Sequence, residues 1–292
     1  MRETFEAYTA RMLGLAGSDD PLEVMASTPR RLGRLVAGLP SGELMRQPPG
    51  RWSIAQIVSH LADAELVLAY RARQILASPG TPIQSYDQEA WVASEHAETS
   101  DAYESLTLFT AIRDGNLRLL RRLTADERGR AGIHAERGEE SIAHLMKLYA
   151  GHDRNHVAQV ERILAERHPG GPPAAFAAAP VKPPVSPALL EQLDVRAGTI
   201  RAAAALAGAD RLAVLTVSFA DRDRTIVAGI RTERPSLDAV VGRQCLFVVN
   251  LEPKTIRGQL SEGMLFDIGF ADGLRPAFAT PEWPVPDGTR AG

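Results

Sequence analysis

The spacing of apolar positions changes character along the chain: up to residue 168 they recur near every 3.6 residues, and beyond residue 187 short stretches alternate with a period near 2. The first pattern predicts helices near 2–16, 21–38, 53–78, 101–123 and 141–167, separated by turn signals such as Pro48-Pro49-Gly50 and Ser78-Pro79-Gly80. Three long helices and two shorter ones before them predict an antiparallel bundle. The second pattern predicts strands over 194–202, 211–219, 224–230, 243–250 and 262–269. In the second of these, Leu215, Val217 and Phe219 alternate with Thr216 and Ser218, as on a strand with one buried face. Five short strands, interrupted by one predicted helix after Pro235, fit a small closed barrel better than a βαβ sheet.

Between the two patterns, residues 169–187 hold seven of the chain's twenty prolines and almost no charge. Proline excludes helix interior and inner strand there. A Pro/Ala spacer of this kind extends up to about 60 Å, at about 3.1 Å per residue of polyproline conformation. The predicted organisation is therefore a multi-domain α and β chain: residues 1–168 a helical bundle, 169–187 a linker and 188–292 a five-stranded barrel.

The start of the third predicted helix is strongly specified. Ser53 stands at the N-cap with Gln56 three residues on, a capping box, and Trp52 with Ile57 forms the matching hydrophobic staple. This phase places His60 on the buried stripe with Ile57, Leu61, Ala64 and Leu68. On the last helix the apolar face through Ile142, Leu145, Met146, Tyr149, Val160, Ile163 and Leu164 continues into His152 and His156, four residues apart and stacked one turn above the other. Two imidazoles at that spacing reach one divalent metal, and a third from a facing helix leaves a coordination position open for water or substrate. The competing reading is three hydrogen-bonded core histidines, which is costly for unpaired imidazoles sharing one core. Asp63, Glu65 and Asp153 stand near these residues in sequence, either to orient an imidazole or to form surface salt bridges. His96, His134, His144 and His168 read as structural or solvated.

Composition narrows the function classes. With 33 Lys plus Arg against 36 Asp plus Glu, the net charge of -3 provides no general attraction to nucleic acid or anionic lipid. One cysteine, Cys245, excludes an internal disulfide and a Cys-rich zinc module. No apolar signal-peptide core and no run of the ~18 uncharged apolar residues needed for a membrane span is present, so a soluble cytoplasmic protein is expected, without membrane contact.

The segments RWSIAQIVSHLADAE and YAGHDRNHVAQVERI resemble the DinB-like family of four-helix bundles, which includes YfiT-type metal-dependent hydrolases, over residues 20–167. The resemblance implies a divalent metal (zinc, nickel or iron) held by His60, His152 and His156, and an activity among thiol-dependent transferases, isomerases or hydrolases, with no catalytic residue assigned. A thiol nucleophile would be a low-molecular-weight thiol supplied from outside, because the only cysteine lies in the other half. LEQLDVRAGTIRAA, VVNLEPKTIRG and SEGMLF resemble the tRNA-binding OB-fold domain of methionyl-tRNA synthetases and CsaA-like chaperones, nearly without gaps over 188–292. That resemblance implies binding of tRNA or other RNA, with Arg196, Arg201, Asn250, Lys254, Arg257 and Ser261 on the RNA-facing positions, and a homodimer.

The charge balance of 187–292, 12 basic against 13 acidic residues, predicts weak, salt-sensitive RNA binding rather than a broad phosphate-binding surface. Phe219, Phe247 and Phe266 read as core, Cys245 as a small buried residue, and Gly198, Gly229, Gly258 and Gly263 as bulges or barrel corners. The closing residues 279–292, with the exposed-looking Trp283, are expected to pack back on the barrel or into a dimer interface. Three functions remain open: an RNA-binding protein with a metal-binding bundle, a metal-dependent transferase or hydrolase docked by its barrel, and a CsaA-like peptide-binding chaperone.

Overall fold

The computed structural model describes residues 4–94, 100–167, 178–232, 234, 236–274 and 276–291. The chain divides into two compact units, residues 1–175 and 176–292. The first contains α1 (Phe5–Ala16), α2 (Pro21–Val36), α3 (Ser41–Met45), α4 (Ile54–Ala77), β1 (Pro82–Ile83), α5 (Gln88–Ser94), α6 (Ala102–Leu120), α7 (Ala125–Gly129), β2 (Ala131–His134), β3 (Gly138–Ser141) and α8 (Ile142–Arg167). The second contains α9 (Pro187–Leu190), β4 (Val195–Ala205), β5 (Ala213–Ser218), β6 (Asp223–Ala228), β7 (Gln244–Val248), β8 (Lys254–Ile256), β9 (Gln259–Ser261), β10 (Met264–Leu265), β11 (Asp267–Ile268), β12 (Ala277–Phe278) and β13 (Arg290–Ala291).

All five predicted helices are present, and their ends follow local chemistry. Ser53 and Gln56 bond reciprocally at the start of α4, at 3.1 and 2.8 Å, which satisfies two amides that the first helical turn leaves free. Asp20 caps α2 ahead of Pro21, and Pro29 lies inside that helix. Helix α4 packs against α6 and α8, and α1 and α2 cover α8. The bundle core falls into two apolar clusters. One gathers Leu32, Ile57, Leu61, Phe109, Val157 and Val160, and the other Met25, Ala64, Leu68, Leu145, Met146 and Tyr149. On α8 the passage from one cluster to the other falls at the histidines, and on α4 just after His60, between Ala62 and Ala64.

At Gly151 helix α1 crosses α8 backbone to backbone, since a Cβ there would stand 1.8 Å from the Met12 carbonyl oxygen. Gly151→Ala is therefore expected to push α1 off α8 and destabilise the helical unit by about 1–3 kcal/mol, read as a lower urea midpoint at 222 nm. An unchanged midpoint would mean that α1 does not lie on α8 in solution.

The small sheet β1-β2-β3, with β1 parallel to β2, was not legible in the periodicity. Its strand β2 carries His134, which is 1% exposed with its Nδ1 accepting the Glu136 N–H at 3.2 Å, the structural rather than the solvated of its two readings. His144 is half-buried on α8, and His96 and His168 lie outside the described residues.

In the second unit the antiparallel order β10-β7-β4-β5-β6 forms a curled half-barrel of OB type around Ile200, Leu215, Val217, Phe219, Ile226, Cys245 and Phe247. The open side is bridged by the Glu262 N–H to the Thr225 carbonyl, at 2.8 Å, and by the Val227 N–H to Ser261 Oγ, at 3.1 Å. A Cβ on Gly198 would meet the Phe219 ring at 2.6 Å, so glycine lets β4 pass close over the core aromatics. Gly229 lies in a bend directly after β6, with neither a crowded Cβ position nor a left-handed backbone to require glycine there. The helix predicted after Pro235 is a single 3-10 turn over Asp238–Val240. Phe266, expected in the core, is 41% exposed, because its neighbour Leu265 takes the inward position. The closing segment returns to the barrel: β13 pairs with β4, and the Gly288 N–H bonds the Ala197 carbonyl at 2.8 Å.

Candidate metal centre

Helix α4 carries His60 and helix α8 carries His152 and His156, which are 1%, 7% and 6% exposed. Their nearest ring nitrogens lie within 4.8 Å of one another. His152 is shared, its Nε2 standing 3.0 Å from that of His60 and 3.1 Å from that of His156. A neutral imidazole nitrogen offers one in-plane proton or one in-plane lone pair, so His152 Nε2 makes at most one good hydrogen bond with these two neighbours. The other contact sets nitrogen against nitrogen, which a cation between the rings would resolve. His156 Nδ1 donates to Gln159 Oε1 at 3.0 Å, which leaves its Nε2 lone pair facing the cluster. The Nδ1 atoms of His60 and His152 have no hydrogen-bond partner among the described residues. Trp52 walls the cluster, with its ring centroid 4.9 Å from His60 and stacked at 6.3 Å on His156, while its Nε1 donates to Glu89.

Burial, reinforced by the neighbouring imidazole His156, holds His60 and His152 well below the ordinary histidine range. Burial also takes His156 down to about 4, against the upward pull of its bond to Gln159. All three are therefore neutral donors at neutral pH, the form a metal requires. Because the folded values lie below the unfolded 6.5, the unfolded chain binds more protons between them, so stability is full above about pH 6.5 and falls as acid approaches the folded values. The metal-free chain is expected to lose thermal stability from about pH 6.5 down to about pH 4, by up to ~1.4 kcal/mol per pH unit for each imidazole. A chain with the three histidines replaced should show a flatter profile, and identical profiles would contradict the shifts.

Two of the acids expected on the surface or on an imidazole do neither. Glu65 and Asp153 are 1% exposed and both reach Arg113 of α6, with Arg113 Nη2 2.8 Å from Glu65 and Nη1 2.6 Å from Asp153. Asn116 donates to Glu65 Oε1 at 2.9 Å. Arg113 Nη1 also donates to the Met25 carbonyl at 2.6 Å. That carbonyl lacks its intrahelical partner because Pro29, four residues on, has no N–H. One buried guanidinium thus ties α2, α4 and α8 together beside the histidines. Asp63 is half-buried on α4. Sequence reasoning missed Arg113, since an arginine in an amphipathic pattern reads as solvated.

On the barrel, Lys254 and Arg257 are exposed around the β8–β9 hairpin, with no carboxylate partner among the described residues. Arg196 is paired with Asp194 at 2.8 Å, and Arg201 with Asp287 at 3.2 Å. Asn250 bonds the Asp194 N–H and the Gln192 carbonyl, at 2.8 and 2.7 Å, and so braces the start of β4. Ser261 is 5% exposed and satisfied internally, accepting from the Val227 N–H and donating to the Gly263 carbonyl. Ser261 is thus satisfied inside the barrel, while Asn250 is exposed with its amide engaged at the start of β4. Among the described residues no helix is long and apolar enough to cross a membrane.

The model of the DinB superfamily matches residues 25–160, and that described as "Putative tRNA binding domain" matches residues 195–290. A "Putative metal-dependent hydrolase" of Oceanobacillus iheyensis is 29% identical over 136 residues, covering 46% of this chain and 78% of that protein. A methionine–tRNA ligase of Chlorobium chlorochromatii is 33% identical over 115 residues, covering 39% of this chain but only 16% of the ligase. The solved structure of YfiT from Bacillus subtilis is 24% identical, covers 58% of this chain and 91% of that one, and superposes with a TM-score of 0.48. This chain thus joins a helical domain of the DinB superfamily to an OB-type domain of the tRNA-binding family.

Proposed function

We propose that the protein binds RNA through its OB-type domain and one divalent metal, of the zinc, nickel or iron class, through Nε2 of His60, His152 and His156. The convergence of three buried, neutral imidazoles on one point carries the metal reading. Held by three nitrogens, such a metal keeps a position at which water or a thiol loses its proton near neutral pH. The chain's own residues orient and shelter that position. Gln159 holds the His156 ring, and Trp52 and the two apolar clusters wall the three imidazoles. A thiol would come from a small molecule, since Cys245 is buried in the other unit with its thiol pushed up to about 12. A thiol transferase or a hydrolase is the reaction class that fits this site.

For RNA, Lys254 and Arg257 are the free cations of the β8–β9 hairpin, with Arg196 and Arg201 on β4 and Asn250 and Ser261 as scaffold. Exposed Leu260, Met264, Phe266 and Ile268 favour a second reading, in which this domain takes apolar peptide as a chaperone would. A homodimer would cover Trp283, which is 64% exposed, and sedimentation of the full chain reads it directly.

Elemental analysis of the untagged full chain should return about one first-row metal per chain, lost in the His60→Ala, His152→Ala, His156→Ala variant. No metal in either after reconstitution removes the metal reading. Lys254→Ala with Arg257→Ala should weaken tRNA retention about tenfold at low salt and flatten the log-log salt slope by about 1–2. An unchanged slope, with suppression of client aggregation, would move the domain to the peptide reading.

A further inference from the structure

A cavity of about 680 Å³ in the helical unit opens against His152. Its walls include Tyr8 of α1, Arg71 of α4, Tyr86, Arg137, and Leu148 and Tyr149 of α8. The rim of this cavity carries exposed carboxylates, whereas at depth stands a guanidinium with none paired to it. Asp87, Glu89 and Glu136 are exposed. Of these, Asp87 caps α5 by accepting the Glu89 and Ala90 N–H groups, and Glu89 accepts from Trp52. Arg137 is neutralised by buried Glu140 at 2.6 Å.

Arg71 is different. It is 5% exposed, its one hydrogen bond runs from Nη2 to the neutral Gln84 carbonyl at 2.6 Å, and its Nε has no partner. No carboxylate pairs with it among the described residues. Arg113, equally buried one helix away, has two carboxylates. A desolvated guanidinium with unused donors and no counter-charge is strongly disfavoured unless an anion completes it.

We propose that this cavity binds a small organic substrate through a carboxylate paired with Arg71, its apolar or aromatic body lying along Leu148 and the tyrosine rings and its far end towards His152. A single uncompensated positive charge matches a carboxylate monoanion, and a bidentate pair with the guanidinium fork gives the geometry. A phosphate dianion would leave a buried negative charge over. The assignment rests on the metal reading for the direction in which the substrate points, and not for the ion pair.

The test is calorimetric titration of the full chain, metal-free and zinc-loaded, with benzoate, its neutral isostere benzamide and inorganic phosphate. Zinc content is measured on the same samples. Benzoate is expected to bind at least ~10-fold tighter than benzamide in both forms, phosphate should not displace it, Arg71→Met should abolish the preference and Arg71→Lys should retain most of it. Equal binding of benzoate and benzamide, displacement by phosphate, a preference confined to the zinc-loaded form, or full benzoate affinity in Arg71→Met overturns the proposal. The wild-type comparison needs no variant, so it decides even if Arg71→Met does not fold. Zinc uptake without a benzoate preference leaves the metal reading standing and removes this one. A preference without zinc uptake does the reverse.

Discussion

Arg113→Met is expected to destabilise the helical unit by about 3–5 kcal/mol, seen as a lower urea midpoint at 222 nm in the metal-free full chain. The size follows from what is left behind. Asp153 and Glu65 would remain buried with no cation between them, and the Met25 carbonyl would lose its only replacement for the amide that Pro29 lacks. The guanidinium also lies over the Phe109 ring at 4.7 Å, a contact that methionine keeps only as packing. Replacing all three members together, with Glu65→Leu and Asp153→Leu added to Arg113→Met, should recover most of the loss, because the removal of one partner is what hurts. If the single variant loses less than about 1 kcal/mol, the network does not hold α2, α4 and α8 together.

His152→Ala should abolish metal binding, with affinity for added zinc reduced by more than ~1000-fold and less than about a tenth of an equivalent retained after dialysis. His152 is the ring both others touch, so its removal leaves His60 and His156 as an isolated pair on different helices. The apo fold should survive, because the alanine also removes an imidazole whose burial is itself costly. Equilibrium dialysis, with unfolding curves on the same samples, separates the two effects. Retention of one tight equivalent would show that the three nitrogens are not the ligand set.

How much of this was legible depends on whether a residue's role is local. The capping box of Ser53 and Gln56 is settled within four residues, so helix α4, its phase and the inward direction of His60 followed from sequence. The i, i+4 spacing of His152 and His156 is equally local, and the strand alternation of Leu215, Val217 and Phe219 placed the barrel core correctly. Phe266 failed because neighbouring residues of a short edge strand take opposite faces, and no turn signal set the register there. The strand that buries His134 was not legible because β2 is held by β1, some fifty residues earlier, across a pairing that no local pattern announces.

Arg113, Arg71 and Ser261 show the deeper limit. Sequence assigns arginine and serine to solvent by default, and only the packed fold shows one guanidinium closed by two carboxylates, another left without a counter-charge beside a cavity, and a hydroxyl spent between β6 and Gly263. The sequence by itself determined the two-part architecture, the helix phases and the inward direction of His60, His152 and His156, since each depends on periodicity and caps within a few residues. The tertiary structure alone decided that the three Nε2 atoms meet, what neutralises each buried charge and which cations stay free for a ligand, since desolvation and charge pairing depend on residues far apart in the chain.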